Sequence, residues 1–159
     1  MLLHDNFLHL FTTPWFLSAF LSWMIAQAAK LVADLVNNRR LDFRFFVSTG
    51  GMPSAHSAMV TGLATSVGLT EGFHTAPAMM AMAFAAVTMF DAASVRRAAG
   101  HQAAVLNKMM DELFKSRRLS EARLKELLGH TRLEVFCGLL IGVLTAMGVC
   151  ARFILRGAM

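Results

Sequence analysis

Five groups of polar residues in an otherwise apolar chain carry side chains able to hold or transfer a phosphoryl group. They are Lys30 with Asp34, Arg39 with Arg40, the run Gly50, Gly51, Met52, Pro53, Ser54, Ala55, His56, the trio Asp91, Arg96 and Arg97, and His130 with Glu134. Phosphate calls for these types. A serine at a helix start brings unpaired backbone N–H groups and the positive end of a dipole. Glycines let the backbone approach closely, and arginine matches phosphate oxygens in pairs. Two histidines add a nucleophile and a proton donor.

Each group also has a plainer reading. Ser54 is a good helix N-cap after a Gly-Gly-Met-Pro turn. Lys30 and Asp34, at i and i+4, suit an intramembrane ion pair, although charges inside a spanning helix are costly and usually functional. Thr131 and Glu134 match the capping box T-x-x-E, and Gly129 suits the preceding helix end. Arg96 and Arg97 suit cytoplasmic anchors. His4, His9 and His74 are isolated and carry no signal. The histidines are not spaced as ligand pairs and no carboxylates cluster, so neither metal nor cofactor is expected.

The elements that must position these groups are membrane helices. Of 159 residues, 56% are hydrophobic and 16% charged, with mean hydropathy +0.54. The net charge of +5 is not spread as a nucleic-acid surface would have it. Three of 15 Lys and Arg fall at 39–44 and nine at 96–132, as in cytoplasmic loops beside membrane spans, so nucleic acid is excluded as a partner. Cys137 and Cys150 lie in an apolar run and read as small buried hydrophobes.

The pattern predicts a single all-α domain over 1–159, a small integral membrane helical bundle. About four transmembrane or membrane-embedded helices are expected, at Trp15–Val36, Ser54–Thr70, Pro77–Ala93 and Leu133 to about Leu155. An amphipathic helical insertion separates the last two, with Val105, Leu106, Met109 and Leu113 opposite Lys108, Asp111, Glu112 and Lys115. It is expected to lie against the membrane or the bundle. With both basic loops cytoplasmic, the N-terminus is outside and all five polar groups gather at the inner face; the expected location is a bacterial inner membrane. Arg152 and Arg156 then fall on the outer side, against the charge rule.

The chain resembles the divergent branch of the type 2 phosphatidic acid phosphatase and vanadium haloperoxidase superfamily. The resemblance runs through GGMPSAHSA at 50–58, DAASVRRAAGHQAAVLN at 91–107 and LKELLGHTRLEVFCG at 124–138. The wider superfamily pattern is K-x6-RP, PSGH and SR-x5-H-x3-D. Here PSAH replaces PSGH, no Arg-Pro follows Lys30 at that interval, and an insertion separates Arg96 and Arg97 from His130.

The resemblance implies metal-independent hydrolysis of a lipid phosphomonoester or diphosphate through a phosphohistidine. On that basis His130 attacks phosphorus, Glu134 orients it, and His56 protonates the leaving oxygen. Lys30, Arg39, Arg40, Ser54, Arg96 and Arg97 hold the phosphoryl oxygens, with Gly50, Gly51 and Asp91 in support. His101 lies nearer the arginines, but Val105 follows it at the interval where an acid is needed, so it reads as a surface residue. The expected partners are a phosphatidylglycerophosphate-like or polyprenyl phosphate lipid and the bilayer. The chain is shorter than the superfamily's six-helix bundle, so either fewer helices suffice or a homodimer completes the site. The alternative is a non-catalytic protein that binds lipid phosphates or scaffolds lipid enzymes.

Overall fold

The computed structural model describes residues 9–38, 51–113 and 130–157. Among these the regular structure is helical, without strands. Helix α1 is Pro14–Asn38, α2 Ala55–Glu71 and α3 Ala76–Phe90, followed by a π-helical turn at Asp91–Val95, α4 at Arg96–Leu113 and α5 at Arg132–Gly157. Three segments are long and apolar enough to cross a membrane: Pro14–Val36, Ala76–Met110 and Arg132–Leu155.

Local chemistry sets the ends of these helices. Pro14 opens α1, where its missing N–H is no loss, and Thr13 Oγ1 accepts the Phe16 N–H at 3.2 Å. Ser54 caps α2. Gly72, at φ 92°, ends it and donates its N–H to the Gly68 carbonyl at 3.0 Å, a conformation that a Cβ would disfavour.

Helix α2 is the centre of the bundle, contacted by α1, α3 and α5. At 17 residues it spans only about 26 Å, but ten of those residues are buried, all small or β-branched. In lipid there is no hydrophobic gain from pairing apolar helices, so they associate where small residues let backbones meet. A Cβ on Gly62 would run into Ser18 and Ser22 of α1, and one on Gly138 or Gly142 of α5 would run into Ser54, Ser57, Ala58 or Thr61. Thr61 Oγ1 donates to the Ser57 carbonyl at 2.7 Å, satisfying itself inside its own helix. Ala26, Ala55 and Ala58, with Trp23 and Ile141, fill the junction of α1, α2 and α5. Met79, Met80, Phe84, Val87 and Phe90 of α3 are exposed, as suits a lipid-facing side.

The helices alternate in direction. At one end Trp15 Nε1 donates to Thr70 Oγ1 at 2.6 Å, joining the start of α1 to the end of α2. At the other, the Ser54 N–H bonds the Glu134 carbonyl at 2.9 Å, so α2 and α5 start side by side.

One detail differs from the sequence expectation. The third span does not stop at Ala93; it passes through the π turn into α4 as one helical run from Ala76 to Leu113. On α4, Gly100, Ala103 and Asn107 are buried, while Val105, Leu106 and Met109 face outward, so the apolar stripe faces away from the bundle, in keeping with the membrane-side placement of the two expected.

Candidate functional site

Where α2 and α5 begin side by side, two capped helix starts and their positive dipole ends lie together. Ser54 is fully buried; its Oγ accepts from the Ser57 N–H at 3.4 Å and from Ser57 Oγ at 3.0 Å. Gly51 just before it has φ 93°, so the chain turns into the cap through a conformation that glycine adopts freely.

Thr131 and Glu134 form the capping box of α5. The Glu134 N–H reaches Thr131 Oγ1 at 3.3 Å, and Glu134 Oε2 accepts the Thr131 N–H at 3.0 Å. The same Oε2 lies 2.9 Å from His130 Nδ1. An ionised carboxylate only accepts, so Nδ1 is the donor of this contact; in the neutral imidazole that tautomer leaves the lone pair on Nε2. The His130 side chain is 5% exposed and that of Glu134 19%. Cap and imidazole orienter are therefore one carboxylate.

The backbone of His130 is held from another element. Its N–H donates to the Ala92 carbonyl at 3.0 Å, inside the π turn. π turns widen a helix locally and are common at functional sites. Arg96 follows Ala92 by four residues, about one helical turn, so the start of α4 stays close to His130 despite the intervening sequence. Lys30 of α1 is 4% exposed, and the carboxylate of Glu134 acts on it electrostatically.

The structure thus gathers Lys30, Ser54, Gly51, His130 and Glu134 at one end of the bundle. Asp34, one turn beyond Lys30, is buried and engaged, and Asp91 opens the π turn, half-buried and also engaged. His56 stands beside Ser57 on the first turn of α2 but is exposed, so it borders the buried group without joining its core. Arg96 and Arg97 begin α4; their side chains, and Arg39, Arg40 and Gly50 entirely, lie outside the described residues. His101 is exposed on α4, as expected. Among the described residues no three His, Cys, Asp or Glu side chains are grouped to hold a metal ion.

Sequence reasoning missed three contributors. Gly138 and Gly142 bring α5 against Ser54 and Thr61, and their small-x-x-x-small spacing in GLLIG is a readable signal. Ser57 reads as packing but also bonds the cap. The Ala92 carbonyl has no sequence signal, because the π turn that presents it is not encoded by residue type.

This arrangement sets two positive helix ends side by side with an imidazole whose Nδ1 is held by a carboxylate. A family described as "Divergent PAP2 family" matches residues 11–145. The Bacillus subtilis (strain 168) "Uncharacterized membrane protein YuiD" is 39% identical over 142 residues, covering 82% of this chain and 90% of that protein. No solved structure matches. With most of its length matched and the capping-box histidine, PSAH turn and paired helix starts all within the matched region, the chain belongs to the Divergent PAP2 family.

Proposed function

We propose that the protein is a lipid-phosphate phosphatase acting at the end of the bundle where α2 and α5 begin. The observation that carries this reading is the 2.9 Å contact of His130 Nδ1 with Glu134 Oε2, which supports Nε2 of the neutral imidazole in the role of nucleophile. The family supports it at the level of a phosphatase-related fold. The substrate is a phosphomonoester or diphosphate of a membrane lipid.

In the proposed reaction Nε2 of His130 forms a bond to phosphorus while the bond to the lipid oxygen breaks. His56 gives that oxygen its proton. Water then attacks the phosphohistidine, His56 takes the proton back, and phosphate leaves with His130 restored. Glu134 holds the imidazole tautomer and balances its positive charge. Lys30, the α2 N-terminus at Ser54, and the arginines Arg96 and Arg97 neutralise charge on the phosphoryl oxygens, with Arg39 and Arg40 as further donors. The clustered arginines and lysines support a site on the cytoplasmic side of the membrane.

Phosphate release from a panel of lipid phosphates, with chelator present, tests this. Turnover by wild type and loss in His130→Ala is the expected result. A second reading is supported by the near-complete burial of His130 and by the capping duty of Glu134: a non-catalytic protein that binds lipid phosphates. Saturable binding of those lipids without phosphate release decides for it.

A further inference from the structure

At the end of the bundle opposite His130, a groove of about 790 Å³ opens between α1 and α5. Its walls are mostly apolar, with Leu17, Leu21 and Ile25 from α1 and Leu144 from α5, and Thr12 and Thr145 add hydroxyls. Gly148 forms a gap in the α5 wall, since a Cβ built there meets nothing within 4 Å. Arg152, one turn beyond Gly148, stands over the groove. Among the described residues it is exposed and makes neither a hydrogen bond nor an ion pair.

The depth of Arg152 is set by its helix. Twenty residues separate it from Arg132, or about 30 Å of helix, which is the thickness of a bilayer hydrocarbon core. Arg132 at one interface puts Arg152 at headgroup level on the other. Its charge there runs against the positive-inside rule, and no described carboxylate balances it.

We infer that the groove between α1 and α5 binds one anionic phospholipid of the leaflet opposite the candidate catalytic site, its phosphate paired with Arg152 and an acyl chain lying past Gly148. The groove has the volume and mostly apolar lining of a ligand site with a few placed polar groups, of which Arg152 alone is charged. A guanidinium near the surface favours anionic lipid and matches phosphate oxygens in pairs. A second copy of the chain is the weaker occupant. A two-fold interface would set groove against groove, leaving space unfilled and bringing two Arg152 side chains together.

The test uses full-length protein in nanodiscs containing photoactivatable phosphatidylglycerol or phosphatidylcholine with the reactive group mid-chain, followed by peptide mapping. Wild type is expected to crosslink phosphatidylglycerol on α1 and α5 peptides around Leu21, Ile25 and Leu144, at about five times the phosphatidylcholine yield or more. Arg152→Gln abolishes that preference and Gly148→Leu lowers both yields, while phosphatase activity at the distant site is unchanged. Circular dichroism and melting confirm that each variant is folded. If Gly148→Leu does not fold, Arg152→Gln decides alone. Equal labelling by the two lipids in wild type overturns the inference, as does preference retained in Arg152→Gln, or groove peptides crosslinked to a second chain.

Discussion

His130 Nδ1 and Glu134 Oε2 lie 2.9 Å apart, and that carboxylate oxygen also accepts the Thr131 N–H that begins α5. The helix cap and the imidazole orienter are thus a single group. Substituting Glu134 by glutamine separates the two duties, because glutamine also completes a capping box but carries no charge. Glu134→Gln is expected to keep the melting temperature near wild type while lowering turnover by about 10²- to 10⁴-fold; Glu134→Ala lowers turnover as much and also loses about 1 kcal/mol of stability. His130→Ala loses several orders of magnitude. Full turnover in Glu134→Gln would return the carboxylate to a purely structural role.

His56 is exposed on the first turn of α2, and the proposed reaction gives it the proton donated to the leaving oxygen. A general acid matters most when the leaving group is poor. His56→Ala is therefore expected to slow hydrolysis of a lipid alkyl phosphate by about 10² to 10⁴ and that of an aryl phosphate far less. An equal loss on both substrates argues against proton donation. His101→Ala, on exposed α4, leaves both rates unchanged.

Gly138 and Gly142 set the distance between α2 and α5, because a Cβ at either position meets Ser54, Ser57, Ala58 or Thr61. Gly142→Ala is expected to cost about 1–3 kcal/mol through overpacking. Gly148→Ala, with open space at the same helix, is neutral or slightly stabilising. Thermal unfolding in detergent compares them; equal melting of the two variants would mean that the α2–α5 contact is not close.

Twelve of the 15 Lys and Arg lie at 39–44 and 96–132, so both stretches are expected on the cytoplasmic side. In a background lacking Cys137 and Cys150, single cysteines placed there should resist an impermeant thiol reagent in intact cells and react after lysis. Ready labelling in intact cells would put the candidate site on the outer face.

Phosphoryl transfer through His130 calls for no divalent ion. Turnover should survive EDTA, and vanadate, as a phosphoryl mimic, should inhibit. Loss of activity in chelator with recovery on adding Mg²⁺ would rule out the histidine mechanism.

Much of the fold is legible in the residues. The long apolar runs around Trp15–Val36 and Leu133–Leu155 predict spans, and the structure has them at Pro14–Val36 and Arg132–Leu155. Hydropathy reads them because bilayer thickness demands length and apolarity together. Ser54 and the T-x-x-E of Thr131 and Glu134 are readable as caps because capping is local, acting within one turn. The i, i+4 spacing of His130 and Glu134 likewise puts the two on one helical turn by sequence interval alone.

Tertiary structure decided the rest. Lys30 and Asp34, spaced as a local pair, gave no hint that the carboxylate of Glu134, more than a hundred residues away, comes near enough to act on Lys30. Nor does any residue pattern announce that the third span runs through a π turn into α4, or that the Ala92 carbonyl in that turn receives the His130 N–H. The sequence by itself determined which residues enter the membrane and which begin its helices, because hydropathy and capping are short-range. Which of those residues meet was decided by the close approach of α2 to α1 and α5 at Gly62, Gly138 and Gly142, since in lipid the fit of small residues across helices, and not hydrophobicity, selects the partner.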